Sequence, residues 1–456
     1  MKNLDFAALD QAHVLRPWAN MGATLAEKPL VMSRGEGCYV WDNTGEKYLD
    51  AVGGLWCTNI GLGRREMAQV IAAQAEKLAF ASTFVDMTTE PTAALAGRIA
   101  EIAPSGLSHV HFTTGGSSAI DSAYRMAVFA QGAMGQPERT HVIAREHSYH
   151  GSTYAAMSIG LRDGDRAPEF PYEERKIHHI SAPYQYRPPY EGDLTAALVA
   201  EFEAKIAEVG AHKIAAFFAE PIQASGGVLV PPEGYLKAMW QVCQRHGILF
   251  VADEVVTGFG RLGHWFASES RYGVTPDILC CAKGLSSGYQ PIGAVLFSDA
   301  IWQAMAQDPN RWYTSGFTYS GHPVACAAAL TNIDILEREG LLANASEVGA
   351  YFQTLLGGLA ELPLVGNVRG EAMIGCVENV ADKSTGEKLP DEVDIGRRIA
   401  DAAQARGLFV RPIGHLNVMS PALILTQAQA EFIVETLAEA IKSVTDGLVK
   451  DGVRIG

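Results

Sequence analysis

The feature that most restricts the fold is an alternation. Strand-like apolar runs recur near 109–112, 141–144, 176–180, 214–219, 248–252, 277–281 and 292–297, with helical or loop segments between most of them. That rhythm argues for an α/β domain whose mostly parallel sheet is covered by helices on both faces. Sheets of this kind bind ligands beyond the carboxyl ends of their strands. The residues that terminate each run are therefore the first place to look for chemistry.

Outside that stretch the texture differs. Near the N-terminus, 35–42 and 47–50 read as two short strands around a turn at Asn43-Thr44-Gly45. After about residue 320 a long helix starts at Pro323. Further helical patterns at about 341–361, 391–405 and 427–446 bracket strand candidates near 364–377, 407–411 and 416–419. The expected division is an N-terminal segment 1–58 that joins a small domain, a large domain 59–322, and a C-terminal small α+β domain 323–456.

With 36 Lys+Arg against 51 Asp+Glu, the formal charge is −15, which opposes nucleic acid and anionic membranes as partners. The seven cysteines form no C-x-x-C pair, so zinc and disulfide frameworks are weak readings and buried free thiols fit better. No metal site is expected. No apolar run approaches the ~18 residues of a membrane helix, and the first residues reach an acid before any long apolar stretch. A cytoplasmic location is the expectation.

Two run-terminating groups stand out. Lys283 follows Asp277-Ile278-Leu279-Cys280-Cys281-Ala282 and precedes a Gly/Ser-rich turn; thirty positions earlier Asp253-Glu254 ends the run 248–252. An amine in apolar surroundings has a depressed pKa and reaches its neutral, nucleophilic form. An amine and a carboxylate meeting at strand tips suit pyridoxal phosphate: the amine forms a Schiff base with the aldehyde, and the carboxylate holds the protonated ring nitrogen. Taken alone, a strand-end lysine is usually a surface residue and a strand-end carboxylate usually caps a helix. Of the two acids, Asp253 is the better ligand candidate because it ends the run directly.

Thr113-Thr114-Gly115-Gly116-Ser117-Ser118 links a strand to a helical pattern, and its glycines and helix N-terminus suit a phosphate. An ordinary Ser/Gly helix start fits equally. In Tyr149-His150-Gly151 an aromatic ring could stack on a pyridine face, although loop packing is the commoner role. Thr318, before Tyr319-Ser320-Gly321-His322-Pro323, offers a hydroxyl to an anion or caps the following helix. Arg411 ends a short run and is either exposed or a fork for a substrate carboxylate.

Taken in order, Glu220-Pro221-Ile222-Gln223, Asp253 through Arg261, Ala282-Lys283-Gly284 and Thr318 through Pro323 resemble the class III aminotransferases, fold-type I pyridoxal phosphate enzymes. The likeness runs from about residue 15 to 445. Gly54-Leu55-Trp56 and Arg411-Pro412-Ile413-Gly414 bring it nearest to the amine:pyruvate (omega) transaminases. The resemblance implies Lys283 as Schiff-base lysine and proton shuttle, with Asp253 on the pyridine nitrogen and Tyr149 on the ring face. It implies Gly116 and Ser117 on the phosphate, and Thr318 reaching the phosphate from a neighbouring subunit. It also implies Trp18, Trp56, Phe84 and Tyr149 in the substrate wall and a mobile Arg411 for the carboxylate.

Its partners would be an amine donor and a keto-acid acceptor, in a homodimer with shared active sites; a tetramer stays open. Two departures from the family pattern stand out. Ser118 replaces a common glutamate in the phosphate loop, and Val256 stands where some relatives have glutamine. A nicotinamide dehydrogenase would need G-x-G-x-x-G between an early strand and helix, which is absent there. An aminomutase, a decarboxylating transaminase and a non-catalytic binding protein remain alternatives on the same fold.

Overall fold

The structure, a computed structural model, describes residues 4–26 and 28–455. Its strands are β1 (Met32–Glu36), β2 (Tyr39–Asp42), β3 (Lys47–Asp50), β4 (Leu107–Thr113), β5 (His141–Arg145), β6 (Ile177–Ile180), β7 (Ile214–Ala219), β8 (Leu249–Asp253), β9 (Ile278–Cys281), β10 (Gly293–Ser298), β11 (Val365–Glu371), β12 (Ile374–Asn379), β13 (Leu408–Phe409), β14 (Arg411–Ile413) and β15 (Leu416–Met419).

Seven of them form the central sheet in the order β4-β10-β9-β8-β7-β5-β6. The pairings from β9 through β6 are all parallel, and β10 runs antiparallel to both β9 and β4. β7, β8 and β9 are buried along their whole length. That explains why they read as continuous rather than alternating apolar runs. Successive side chains still face opposite sides. Ala216, Phe218, Val251 and Cys280 pack with Ala119, Ala123 and Met126 of the helix Gly116–Ala133. Phe217, Phe250 and Leu279 pack instead with Leu236 and Met239 of the helix Tyr235–His246.

The stretch 35–42, expected to be one strand, is two. Gly37 has φ +58, and the chain reverses there so that β1 pairs antiparallel with β2. The expected turn after Asp42 is present. Asp42 Oδ1 accepts the amides of Thr44, Gly45 and Glu46, at 2.9, 3.0 and 3.0 Å. It thereby closes the β2–β3 hairpin as an aspartate-centred turn.

β1, β2 and β3 share a sheet with β13 from near the other end of the chain, in the order β1-β2-β3-β13. The Leu49 amide donates to Gly407 O at 2.8 Å and the Ala51 amide to Phe409 O at 3.1 Å. The remaining sheet, β11-β12-β15-β14, packs with the helices Leu341–Gly357 and Ile395–Gln404. The long helix starts at Pro323, its first helical residue, where the missing N–H loses nothing. The helix Gln427–Lys450 starts with a capping box between Thr426 and Gln429. Six of the seven cysteines are buried as free thiols, and Cys57 is half-buried. No helix among the described residues is long and apolar enough to cross a membrane.

Candidate active site

β8 and β9 are parallel neighbours with Asp253 opposite Cys280. Asp253 and Lys283 therefore leave the sheet side by side at its carboxyl edge. A cavity of about 840 Å³ opens there, and both residues line it. The tips of β4, β5 and β7 deliver Gly116 and Ser117, Tyr149 and His150, and Glu220 to the same space.

Lys283 is half-buried, and desolvation of its amine pulls the ammonium below the ordinary lysine value, with the charges of Asp253 and Glu220 pulling the other way. Its backbone is held in an unusual conformation, φ +22. Asn332, on the long helix, fixes the turn that follows by donating to Gly284 O at 2.8 Å and Leu285 O at 3.0 Å. Only a glycine fits after the lysine, because a Cβ at position 284 would sit 2.4 Å from Asn59 Nδ2. Gly284→Ala is expected to destabilise the protein by about 1–3 kcal/mol through this overpacking. A melting temperature equal to that of the unmodified protein would remove the argument.

The two adjacent acids separate cleanly. Glu254 is consumed by structure: its carboxylate accepts the Ala267 amide at 2.8 Å, the Ser268 amide at 2.7 Å and the Thr257 hydroxyl at 2.9 Å. Asp253 faces the cavity. Its Oδ1 accepts the Val255 amide at 3.0 Å, and its Oδ2 lies 2.7 Å from His150 Nδ1, which must donate to a carboxylate. An acceptor lone pair remains on that carboxylate.

The helix Gly116–Ala133 opens on the cavity with no side-chain cap at its N-terminus, so its first amides are available to an anion. Backbones crowd there. A Cβ on Gly151, whose φ is +139, would fall 2.6 Å from Ser117 Oγ. Ser118, which departs from the family pattern, closes the loop internally. Its hydroxyl donates to Gly115 O at 2.9 Å and accepts the Thr114 amide at 3.2 Å.

Trp56 is 3 % exposed and Trp18 is 57 % exposed; both line the cavity, as do Tyr149 and Arg411. Trp18 meets Tyr149 edge-on at 6.0 Å. Arg411 begins β14 and makes no side-chain hydrogen bond or ion pair among the described residues.

Two expected site residues lie elsewhere. Phe84, expected in the substrate wall, is 49 % exposed and does not line this chain's cavity. It packs beside the loop that carries Thr318: a Cβ on Gly316 would touch Phe84 Cζ at 3.5 Å, and Thr83 Oγ1 donates to Ser320 O at 2.8 Å. Thr318 is exposed on that loop and is likewise absent from the cavity. Exposed Phe80 and Tyr319 adjoin it, their rings 6.0 Å apart.

Among the cavity residues that sequence reading did not single out, three bear on the chemistry: His150, Glu220 and Arg162. His150 was quoted only as a neighbour of Tyr149. Glu220 accepts the Tyr149 and Ala224 amides, each at 3.2 Å, and burial raises its pKa. It ends an apolar run just as Asp253 does, and that rule could have found it. Arg162 lies between the helix Tyr154–Ile159 and β6, where no pattern marks it.

The residues present fit pyridoxal phosphate. An uncapped helix start faces a half-buried amine of lowered pKa, and a hydrogen-bonded carboxylate on the neighbouring strand tip has acceptor capacity to spare. That combination of sheet and site defines a fold-type I pyridoxal phosphate enzyme. The sequence profile of the class III aminotransferases matches residues 22–441, and the chain belongs to that family of pyridoxal-phosphate-dependent transaminases.

Among curated relatives, the putrescine–pyruvate aminotransferase of Pseudomonas aeruginosa is 39 % identical over 444 residues, covering 96 % of this chain and 95 % of that protein. A thermostable (S)-enantioselective omega-transaminase from Thermomicrobium roseum superposes with a TM-score of 0.93 at 43 % identity, covering 96 % of this chain and 98 % of that one. The omega transaminase of Pseudomonas jessenii, solved in complex with PMP, gives 0.94 at 34 % identity, with 97 % and 99 % coverage.

Proposed function

We propose that the enzyme moves an amino group from a primary amine or omega-amino acid to pyruvate. The observation that carries this reading is Arg411, without a hydrogen-bond or ion-pair partner among the described residues, in the same cavity as Lys283 and Asp253. One pocket must take an apolar amine in one half-reaction and a carboxylate in the other. A guanidinium with no resident partner can serve the second without obstructing the first.

Pyridoxal phosphate, when bound, supplies the aldehyde that takes up the amino group and the ring that stores the electrons of the broken C–H bond. In this proposal the chain's own groups do the rest. Gly116 and Ser117 hold the phosphate at the helix start. Asp253, oriented by His150, keeps the ring nitrogen protonated. Tyr149 covers one ring face, while Trp56 and Trp18 shape the donor side. Lys283 Nζ takes the proton from the amine-bearing carbon. In the second half-reaction it delivers a proton to the former carbonyl carbon of the keto acid. Release of the first product before the second substrate enters makes the kinetics ping-pong.

Thr318 and Phe84 enter as a pair from a neighbouring subunit in this reading. The support is that both are exposed on one apolar patch and neither reaches the cavity of its own chain.

A panel of amine donors with pyruvate as acceptor, scored by alanine formed, tests the activity. Carbon dioxide release, or product without a keto acid, would instead mark a decarboxylating transaminase or an aminomutase. Arg411→Ala is expected to raise the pyruvate KM by about 10- to 100-fold, the loss of one charge-assisted contact. The KM of a simple arylalkylamine should change far less. Equal effects on both substrates would strip Arg411 of its role.

A further inference from the structure

Three guanidinium groups line the cavity: Arg162, Arg397 and Arg411. They are not equivalent. Arg397 is exposed and pairs with Asp401 one helical turn on, Nε to Oδ1 2.7 Å. Arg411 has no partner among the described residues. Arg162 is largely buried and held on three sides. Its Nη2 donates to Asp165 Oδ1 at 2.5 Å, and its guanidinium carbon lies 5.1 Å from the ring centroids of both Trp18 and Tyr149. Asp165 Oδ2 is buried with no hydrogen-bond partner among the described residues. Arg162 and Arg411 are close enough to feel each other: burial first, then the Arg162 charge, holds Arg411 below the ordinary arginine value.

We infer that Arg162 is a specificity-determining residue for the amine donor. It fixes positive charge at the cavity wall and masks the Asp165 carboxylate, so the site takes donors with an anionic or uncharged tail and turns away those carrying a second ammonium. This rests on the transaminase reading above and names the donor class within it.

The charge balance supports the direction. Asp165 offsets Arg162 and Asp401 offsets Arg397, so of the three guanidinium charges that of Arg411 stays uncompensated by a hydrogen-bonded carboxylate among the described residues. Removing the Arg162 charge frees the Asp165 carboxylate for a distal ammonium to bond. Two unit charges about 7 Å apart at an effective dielectric of roughly 20–40 change an equilibrium by about tenfold or more. Selectivity of this kind comes from the repulsive element rather than from added attraction. Arginine suits the position because one planar group can lie against two rings and still bond a carboxylate edge.

The test uses holoenzyme and a four-carbon series: n-butylamine, 4-aminobutyrate and 1,4-diaminobutane. Each is mixed with enzyme in the absence of keto acid, and the donor half-reaction is followed by cofactor absorbance. The second-order rate constants are expressed relative to butylamine. The native enzyme is expected to use the diamine about tenfold less well than butylamine.

Arg162→Gln should raise the diamine ratio about tenfold and lower the 4-aminobutyrate ratio. The double variant Arg162→Gln with Asp165→Asn should bring the diamine ratio back down. Arg162→Lys keeps the charge without the planar stack, and should keep the native ratios even if absolute rates fall. Diamine use equal to butylamine in the native enzyme overturns the inference. So do ratios unmoved by Arg162→Gln, or a diamine gain in Arg162→Lys. Because no acceptor is present, a failure with pyruvate in the full reaction counts against the proposed function and not against this inference.

Discussion

Replacing Lys283 by alanine is expected to cut turnover by about four orders of magnitude while the protein still folds and holds its cofactor. The uncapped helix start at Gly116 and the Asp253 carboxylate are untouched by the change, so the proposed cofactor site keeps its other supports. What disappears is the one lysine amine lining the cavity among the described residues, whose pKa desolvation lowers. Steady-state rates with a good donor and pyruvate, alongside absorbance of the retained cofactor, separate the two outcomes. Peptide mapping of the native enzyme after borohydride reduction should place the pyridoxyl group on Lys283. Near-native turnover of the alanine variant, or a label elsewhere, would end the assignment.

Asp253→Asn is the second large effect. Asparagine keeps the shape and an acceptor for the His150 ring but loses the charge. A charge-assisted hydrogen bond contributes about 1.5–3 kcal/mol, so cofactor affinity should fall by about 10- to 100-fold. Turnover at saturating cofactor should also drop, because a ring nitrogen that has lost its proton is a poorer electron sink. Titrating the apoprotein with pyridoxal phosphate gives the first number, and rates at saturation give the second. Unchanged affinity together with an unchanged rate would show that this carboxylate does not serve the ring.

Much of the fold is legible because the seven central strands are short, apolar and bounded by turns, and each expected run coincides with an observed strand to within a residue or two. Their spatial order is not legible. That β10 inserts antiparallel between β4 and β9 depends on its pairing with β4, which lies far away in sequence. The break at Gly37 was missed because the residues on both sides have strand character, and only a positive φ reveals the reversal.

The site divides in the same way. Lys283 and Asp253 end apolar runs and could be read locally. The 2.7 Å contact of His150 with Asp253 spans 103 positions, and the seat of Arg162 between Trp18 and Tyr149 joins three separate segments. Phe84 entered the expected wall only through the family resemblance, and its place beside the Thr318 loop is visible only in the folded chain.

The joining of β3 to β13 has a consequence for biogenesis. Trp56 and its neighbours depend on contacts made very late: the Ser420 amide donates to Ala51 O at 2.7 Å and the Leu423 amide to Asn59 O at 2.8 Å. Chains emerge from the ribosome N-terminus first, and domains fold as they appear. One flank of this catalytic chamber must therefore wait, unbraced, until residues 420–423 have been made. A ribosome that stalls before residue 420 releases a product with a sheet but no finished chamber, so competence itself certifies that translation passed that point.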